Sequence, residues 1–364
     1  MKLKSLLIGS AAVMAAATGA RAADAIVVPE PEPMEYVRVC DVYGAGFFYI
    51  PGTETCLQIS GYVFYQVGAT SDDGVNDSPN YHGFDPDEYD KFLRARINFD
   101  ARSETEWGTL RSYIRVQSNS TNVIPNQDPG VNIDQAWLSL GGFRTGYSES
   151  AWTSTPNGGD SGWGSHSWGG LEYGNDQRTF IQYNFTGGNG LFATLSLESD
   201  DYDIDPNYVP DVVGKIGVTQ GWGTLWLTGA YDENTSEITF TDDDAFAVSA
   251  GAHINMGAAG ANSLRVLGFY ASDPNSYWEA SQWSVMASYY HQFTPEFGAS
   301  VGGQYLADLY YGGDDFSDDN AWLAELNLVW TPVTNFEVRS EIVYTKVEDL
   351  DGSVSGFLRF TRYF

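Results

Sequence analysis

Leu93-Arg94-Ala95-Arg96-Ile97-Asn98-Phe99-Asp100-Ala101-Arg102 alternates apolar and polar residues one for one. A strand turns successive side chains to opposite faces, so one face here is apolar and the other carries three guanidinium groups. The alternation recurs at 110–117, 179–185, 246–255, 264–271, 321–330 and 338–345, and a last segment runs from Gly356 to the terminal Phe364. A soluble sandwich alternates in the same way. The length of chain covered, the segment in front of it and the spacing of the strands decide between the two. They predict an all-β chain, a transmembrane antiparallel β-barrel whose apolar face meets lipid and whose charged face lines water.

Lys2 and Lys4 precede an alanine-rich apolar run from Leu6 to Ala17, and Ala20-Arg21-Ala22 has the form of a signal-peptidase site. Residues 1–22 therefore read as a signal peptide. The run is shorter than the roughly 20 apolar residues a spanning helix needs, and no later stretch reaches that length. Residues 23–56 read as a tether, rich in proline at Pro29, Pro31 and Pro33, followed by a hairpin. Residues 57–364 read as the barrel. A mean hydropathy of −0.27 fits spanning segments of which half face water.

The net charge is −30, and loss of a leader with Lys2, Lys4, Arg21 and no acid leaves −33. Bulk charge of that sign excludes a nucleic-acid partner. The acids collect at 72–77, 85–90, 200–205, 232–244, 314–319 and 348–351, whereas Arg94, Arg96, Arg111, Arg115, Arg178, Lys215, Arg265 and Arg339 lie inside strand-like segments. Acidic loops and basic strand interiors form two populations.

Connection lengths alternate. Short links fall at 103–108, 141–142, 187–190, 220–223, 257–262, 292–296 and 331–335, and long ones at 69–90, 118–130, 148–176, 199–210, 232–244, 272–280, 310–320 and 347–353. Seven short and eight long links join about sixteen strands, an even number with both chain ends on the short-turn side. Trp107, Trp222, Phe293, Phe297 and Phe336 fall near short links and Tyr65, Tyr89, Tyr231, Tyr270 and Tyr310 near long ones, as two interfacial girdles would. Cys40 and Cys56 enclose fifteen residues. In an exported chain they are expected to form a structural disulfide, worth about 3 kcal/mol by loop closure.

The run from Tyr36 through Val37-Arg38-Val39-Cys40-Asp41-Val42-Tyr43-Gly44-Ala45-Gly46-Phe47-Phe48-Tyr49-Ile50-Pro51-Gly52-Thr53-Glu54-Thr55-Cys56-Leu57, continuing to Gly61-Tyr62, resembles the N-terminal signature of the alphaproteobacterial general porins. The ending Phe360-Thr361-Arg362-Tyr363-Phe364 is similar to theirs, although Arg362 stands where an apolar or aromatic residue is more usual. The resemblance implies an outer-membrane homotrimer of sixteen-stranded barrels, surrounded by lipid and lipopolysaccharide, passing ions and small hydrophilic solutes by diffusion. It also implies insertion by the barrel assembly machinery, with Phe360, Tyr363 and Phe364 as the assembly signal.

By the same resemblance, the long link 148–176, between the fifth and sixth barrel strands, folds inward and constricts the pore. Its glycines permit a compact course and its tryptophans, Trp152, Trp163 and Trp168, can pack on the inner wall. Glu149, Asp160 and Glu172 are the expected acids on this loop, facing a basic wall of Arg94, Arg96, Arg111, Arg115 and Arg178.

Gly159-Asp160-Ser161-Gly162 matches a serine-protease motif, but a triad also needs a placed histidine and acid, and His82, His166, His253 and His291 are scattered. Asp201-Tyr202-Asp203-Ile204-Asp205 opens like a calcium loop, yet Pro206 and Val212 replace its glycine and glutamate. No cofactor, tight metal site or enzymatic activity is expected, and calcium or magnesium would bind only loosely at acidic outer loops. A sugar-specific channel stacking its solute on the three tryptophans, and an outer-membrane barrel hydrolase, are the alternatives to a general diffusion pore.

Overall fold

Sixteen antiparallel strands close into a ring in the computed structural model, which describes residues 38–71, 89–121, 130–154, 164–174, 176–199, 209–233, 244–257, 261–312 and 315–364. The expected signal peptide and tether, Asp160, Trp163, the 159–162 motif and the 201–205 run lie outside the described residues. After a 3-10 turn at Asp41–Tyr43 come β1 (Phe47–Tyr49), β2 (Cys56–Thr70), β3 (Tyr89–Thr105), β4 (Gly108–Thr121), β5 (Asn132–Leu140), β6 (Phe143–Glu149), β7 (Gln177–Thr186) and β8 (Leu191–Ser199). The ring continues through β9 (Asp211–Gln220), β10 (Gly223–Asp232), β11 (Ala245–Met256), β12 (Asn262–Ala271), β13 (Ser281–Thr294), β14 (Phe297–Leu309), β15 (Asn320–Val333), β16 (Phe336–Val347) and β17 (Ser353–Tyr363). From β2 onward each strand pairs with the next, and β17 pairs back onto β2 from Ser355↔Thr70 to Tyr363↔Tyr62. Closure leaves no exposed edge, a condition for spanning hydrocarbon with strands.

Short and long connections fall at opposite ends, as their spacing predicts. At the β5–β6 turn Gly141 takes φ +58, and a Cβ there would lie 2.8 Å from the Trp107 carbonyl oxygen. Trp107, Trp222 and Phe293 are exposed at the short-turn end, Tyr89 and Tyr231 at the long-loop end.

Register assigns the two faces. Arg94 pairs with Asn119 and Arg96 with Gln117, and these side chains meet through hydrogen bonds, so they share the lumen face. Leu93, Ala95 and Ile97 then face lipid. On the far side, Asn327 bonds Ser300 and the His166 carbonyl inside the barrel, which puts Leu326 and Leu328 outward. Arg339 and Glu341 share the lumen face with Asn327, and Ile342 points out.

The disulfide is present. Cys40 and Cys56, 6.0 Å apart at Cα, bury with Phe47 against Tyr43 and Tyr49. The Arg102 guanidinium lies 5.0 Å over the Phe47 ring, and the Tyr43 hydroxyl donates to Glu104 at 2.8 Å. Burial and that bond push the Tyr43 phenol up to about 12. β1 pairs with Cys56, Leu57 and Gln58 of β2, just beyond the point where β17 stops.

Candidate pore constriction

The basic wall is built on β3 and β4 by alternation, and its charges are mostly answered in place. Arg94 Nε donates to Asn119 at 2.8 Å. Asp100 accepts from Arg102 and Arg111 at 2.6–3.0 Å, a shared carboxylate between two guanidinium groups. Between Arg115 and Val116 the register to β5 slips, since Arg115 opposes Gln135 and Val116 opposes Ile133. The bulge leaves Asp134 over, and its carboxylate reaches both Arg96 and Arg115 at 3.3 Å. Bulges re-aim a side chain in this way, and here one brings an acid onto the arginine face.

Of the expected acids, Glu149 does not face these arginines across the pore. Glu149 ends β6 on the basic wall itself, 3.4 Å from Arg115 and hydrogen-bonded to Gln135. Glu172 binds the opposite wall through its backbone, its N–H donating to Gln304 at 2.7 Å and its carbonyl accepting from the same amide at 2.8 Å. Arg178 stands apart from the other arginines. It is buried, paired with Asp176 at 2.9 Å, and donates to the Ser276 carbonyl at 2.6 Å.

The described residues of the loop from β6 to β7 lie inside the barrel. Glu198 of β8 accepts from Ser150 Oγ and the Ala151 N–H, and Lys215 of β9 donates to the Ser154 carbonyl. Further on, Arg265 of β12 donates to the carbonyls of Gly164 and Ser165. Ser165 and Ser167 bond Glu325 of β15, and the Trp168 N–H donates to Glu341 of β16 at 2.6 Å. The Trp168 ring sits 3.7 Å under the Arg359 guanidinium and edge-on to Phe64, with Arg94 at 5.4 Å. Trp152 is buried in a core with Ala151, Leu171, Trp226 and Phe269.

A second link also turns inward. Residues 272–280, an outer loop by spacing alone, bury Asn275, Tyr277 and Trp278 within the barrel. Trp278 stacks on Phe269 at 4.2 Å and 8°, and the Tyr277 hydroxyl donates to Asp211 at 2.9 Å. Burial holds that phenol well above its ordinary range.

The same barrel and the same kind of chain recur in known proteins. A family model described as the porin subfamily matches residues 24–356. The Brucella melitensis porin Omp2a is 33% identical over 413 aligned positions that cover all of both chains. This chain belongs to the porin subfamily. It is an outer-membrane general porin. Two solved structures share the fold at low identity: the DcaP channel of Acinetobacter baumannii (TM-score 0.66, 14% identical, covering 87% of this chain and 99% of that one) and the trimer form of OmpT from Vibrio cholerae (TM-score 0.57, 10%, covering 86% and 100%).

Several residues that shape this porin's lumen escape a reading of its strands one at a time. Asp134 requires the β4–β5 slip, Arg359 requires closure of β17 on β2, and Glu325 and Glu341 gain meaning only when the loop lies on them. Arg144, absent from the strand-by-strand reading as well, shares the lumen face with its pairing partner Ser139 of β5. It stacks 4.1 Å from the Trp137 ring and donates to Ser148 Oγ at 2.7 Å. The residues expected to form an assembly signal end the ring: Phe360 faces outward, Tyr363 meets Tyr62 edge-on at 5.9 Å, and Phe364 pairs by backbone with Gly61.

Proposed function

We propose that the water path of this porin runs down the β3–β4 wall, narrowed from the other side by the loop that joins β6 to β7, and that ions and small hydrophilic solutes pass without a dedicated binding site. One observation carries the reading. The lumen side chains Arg94, Arg96, Asn98, Arg102 and Arg111 keep partial exposure, although Asp100, Arg115 and Gln117 beside them are buried, whereas most lumen positions on β8, β10, β13 and β15 are buried. Fixed charges beside a narrow aqueous passage bias which ions enter it. Replacing Arg94 and Arg96 together by alanine is expected to raise single-channel conductance and move the reversal potential in a salt gradient towards cation preference. A folded, conducting double variant with an unmoved reversal potential overturns the assignment.

A sugar track on tryptophans is less well supported. Trp152 is 3% exposed, and Arg359 covers one face of Trp168. Hydrolysis finds little support either. His166 has serine hydroxyls on both ring nitrogens, Ser288 at 2.5 Å and Ser263 at 2.7 Å, and burial with Arg265 and His253 nearby pushes its imidazole down to about 3. So weak a base would be a poor proton acceptor at neutral pH. A homotrimer is part of the proposal, supported by the OmpT relative solved in that form, and chemical cross-linking of native material tests it.

A further inference from the structure

Residues 272–280 do more inside the barrel than fill space. Asn275, fully buried, accepts the backbone N–H groups of Tyr277 and Trp278 on its Oδ1, each at 3.0 Å, and so fixes a tight inward turn. The turn is tied to three strands. Asp232 of β10 accepts from Ser276 N–H at 2.8 Å and Ser276 Oγ at 2.9 Å, Asp211 of β9 accepts from Tyr277, and Arg178 of β7 donates to the Ser276 carbonyl. Buried polar groups satisfied from several directions specify one geometry.

The other side of this turn meets both legs of the first loop. The Trp152 ring centroid lies 6.4 Å from that of Tyr277, and Trp152 Nε1 donates to the Tyr173 carbonyl at 3.2 Å, joining the outgoing leg to the returning one. At Gly174, φ is +70, and a Cβ would lie 2.2 Å from the Tyr277 carbonyl oxygen and 2.8 Å from Trp152 Nε1. Only a residue without a Cβ lets the returning leg lie this close. The first loop is thus wedged between its own strand anchors and the second turn.

We propose that residues 272–280 form a second constriction-setting loop, in which Asn275 and Tyr277 are positioning residues that press the first loop towards the β3–β4 wall and so determine the largest solute that passes. The proposal rests on the reading that the first loop narrows the pore. A wedge that is removed lets the loop base relax into the vacated volume, since interiors collapse partly around a cavity. The aqueous gap on the arginine side then widens, and the loop gains alternative positions.

The test is liposome swelling with neutral sugars of increasing size, together with single-channel recording in planar bilayers, on Asn275→Ala, Tyr277→Ala, Tyr277→Phe and Gly174→Ala. Heat-modifiable electrophoretic mobility verifies that each barrel is folded. Leu350→Ala, in the exposed 347–353 link, serves as an outer-loop control, and Trp168→Ala perturbs the first loop directly. Asn275→Ala and Tyr277→Ala are expected to shift the size cut-off upward and add subconductance flicker, whereas Gly174→Ala, which adds bulk between the turn and the first loop, is expected to shift it downward. Tyr277→Phe should shift it upward by less than Tyr277→Ala, and Leu350→Ala should leave both readouts unchanged. Should Tyr277→Ala fail to fold, Asn275→Ala and Gly174→Ala decide. If these fold with wild-type cut-off and noise while Trp168→Ala changes either, the second loop has no such role and the first retains its own. If Trp168→Ala is silent as well, the constriction reading and this proposal fall together.

Discussion

Two halves of one lumen solve the problem of an enclosed polar surface differently. Along β3, β4 and β5, Arg94, Arg96, Arg102 and Arg111 remain partly exposed, and carboxylates at Asp100, Asp134 and Glu149 lie close to the arginines of this wall. Along β8 to β15, two loops lay tryptophan, tyrosine and leucine against the wall and produce a packed apolar core like that of a water-soluble domain. A barrel interior need not be uniform in dielectric character. Where backbone re-enters, it brings its own apolar side chains, and strand positions that would line water become core positions.

The contrast is sharpest in stability. Phe269→Ala, which removes a ring stacked on Trp278 in the packed half, is expected to cost about 3–5 kcal/mol, against a near-neutral Arg94→Ala in the wet half, as read by denaturant unfolding in lipid vesicles. Equal costs would mean that the two halves do not differ. The outer face supplies the next comparison. Ile97→Arg faces lipid and should cost about 2–4 kcal/mol near the midplane, while its neighbour Asn98→Arg faces water and should cost little. Equal tolerance would place the register one residue off, since such a slip exchanges the faces.

Smaller effects probe the charges. Asp134→Asn removes the carboxylate shared by Arg96 and Arg115, so the reversal potential should shift towards anions. No shift in a folded channel would show that this pair lies away from the ion path. The smallest effect concerns pH. An undocked His166 takes up a proton near its ordinary 6.5, whereas the docked one resists protonation down to about 3. Docking is therefore unopposed above pH 6.5 and weakens as pH falls below it. Channel flicker should increase on acidification from pH 7 to pH 5, and His166→Gln should abolish that dependence.

Strand period, turn residues and link lengths made the ring legible in the sequence, because each is a local property of a half-lipid, half-water environment. Arg94, Arg96, Arg111 and Arg115 were legible as lumen residues for the same reason. The place of Glu149 was not. It sits on the arginine wall because β6 ends beside Arg115, a relation between residues 34 positions apart. The inward course of residues 272–280 was equally hidden, since the link carries only Tyr277 and Trp278 as large apolar residues. Their partners, Phe269 and Trp152, reach them only through the folded ring.

The strand β1 has a consequence for the order in which the ring can be completed. β2 offers its outward edge to two partners in succession, Phe47–Tyr49 at Cys56–Gln58 and the chain terminus from Gly61 onward. The Cys40–Cys56 link closes within its own short stretch and needs no other strand. A terminal strand sliding two residues further along β2 would bring Phe364 to Ile59, against backbone already occupied beside Gln58. The oxidised hairpin therefore acts as a doorstop, and the last strand comes to rest in the one alignment that keeps Arg359 over Trp168.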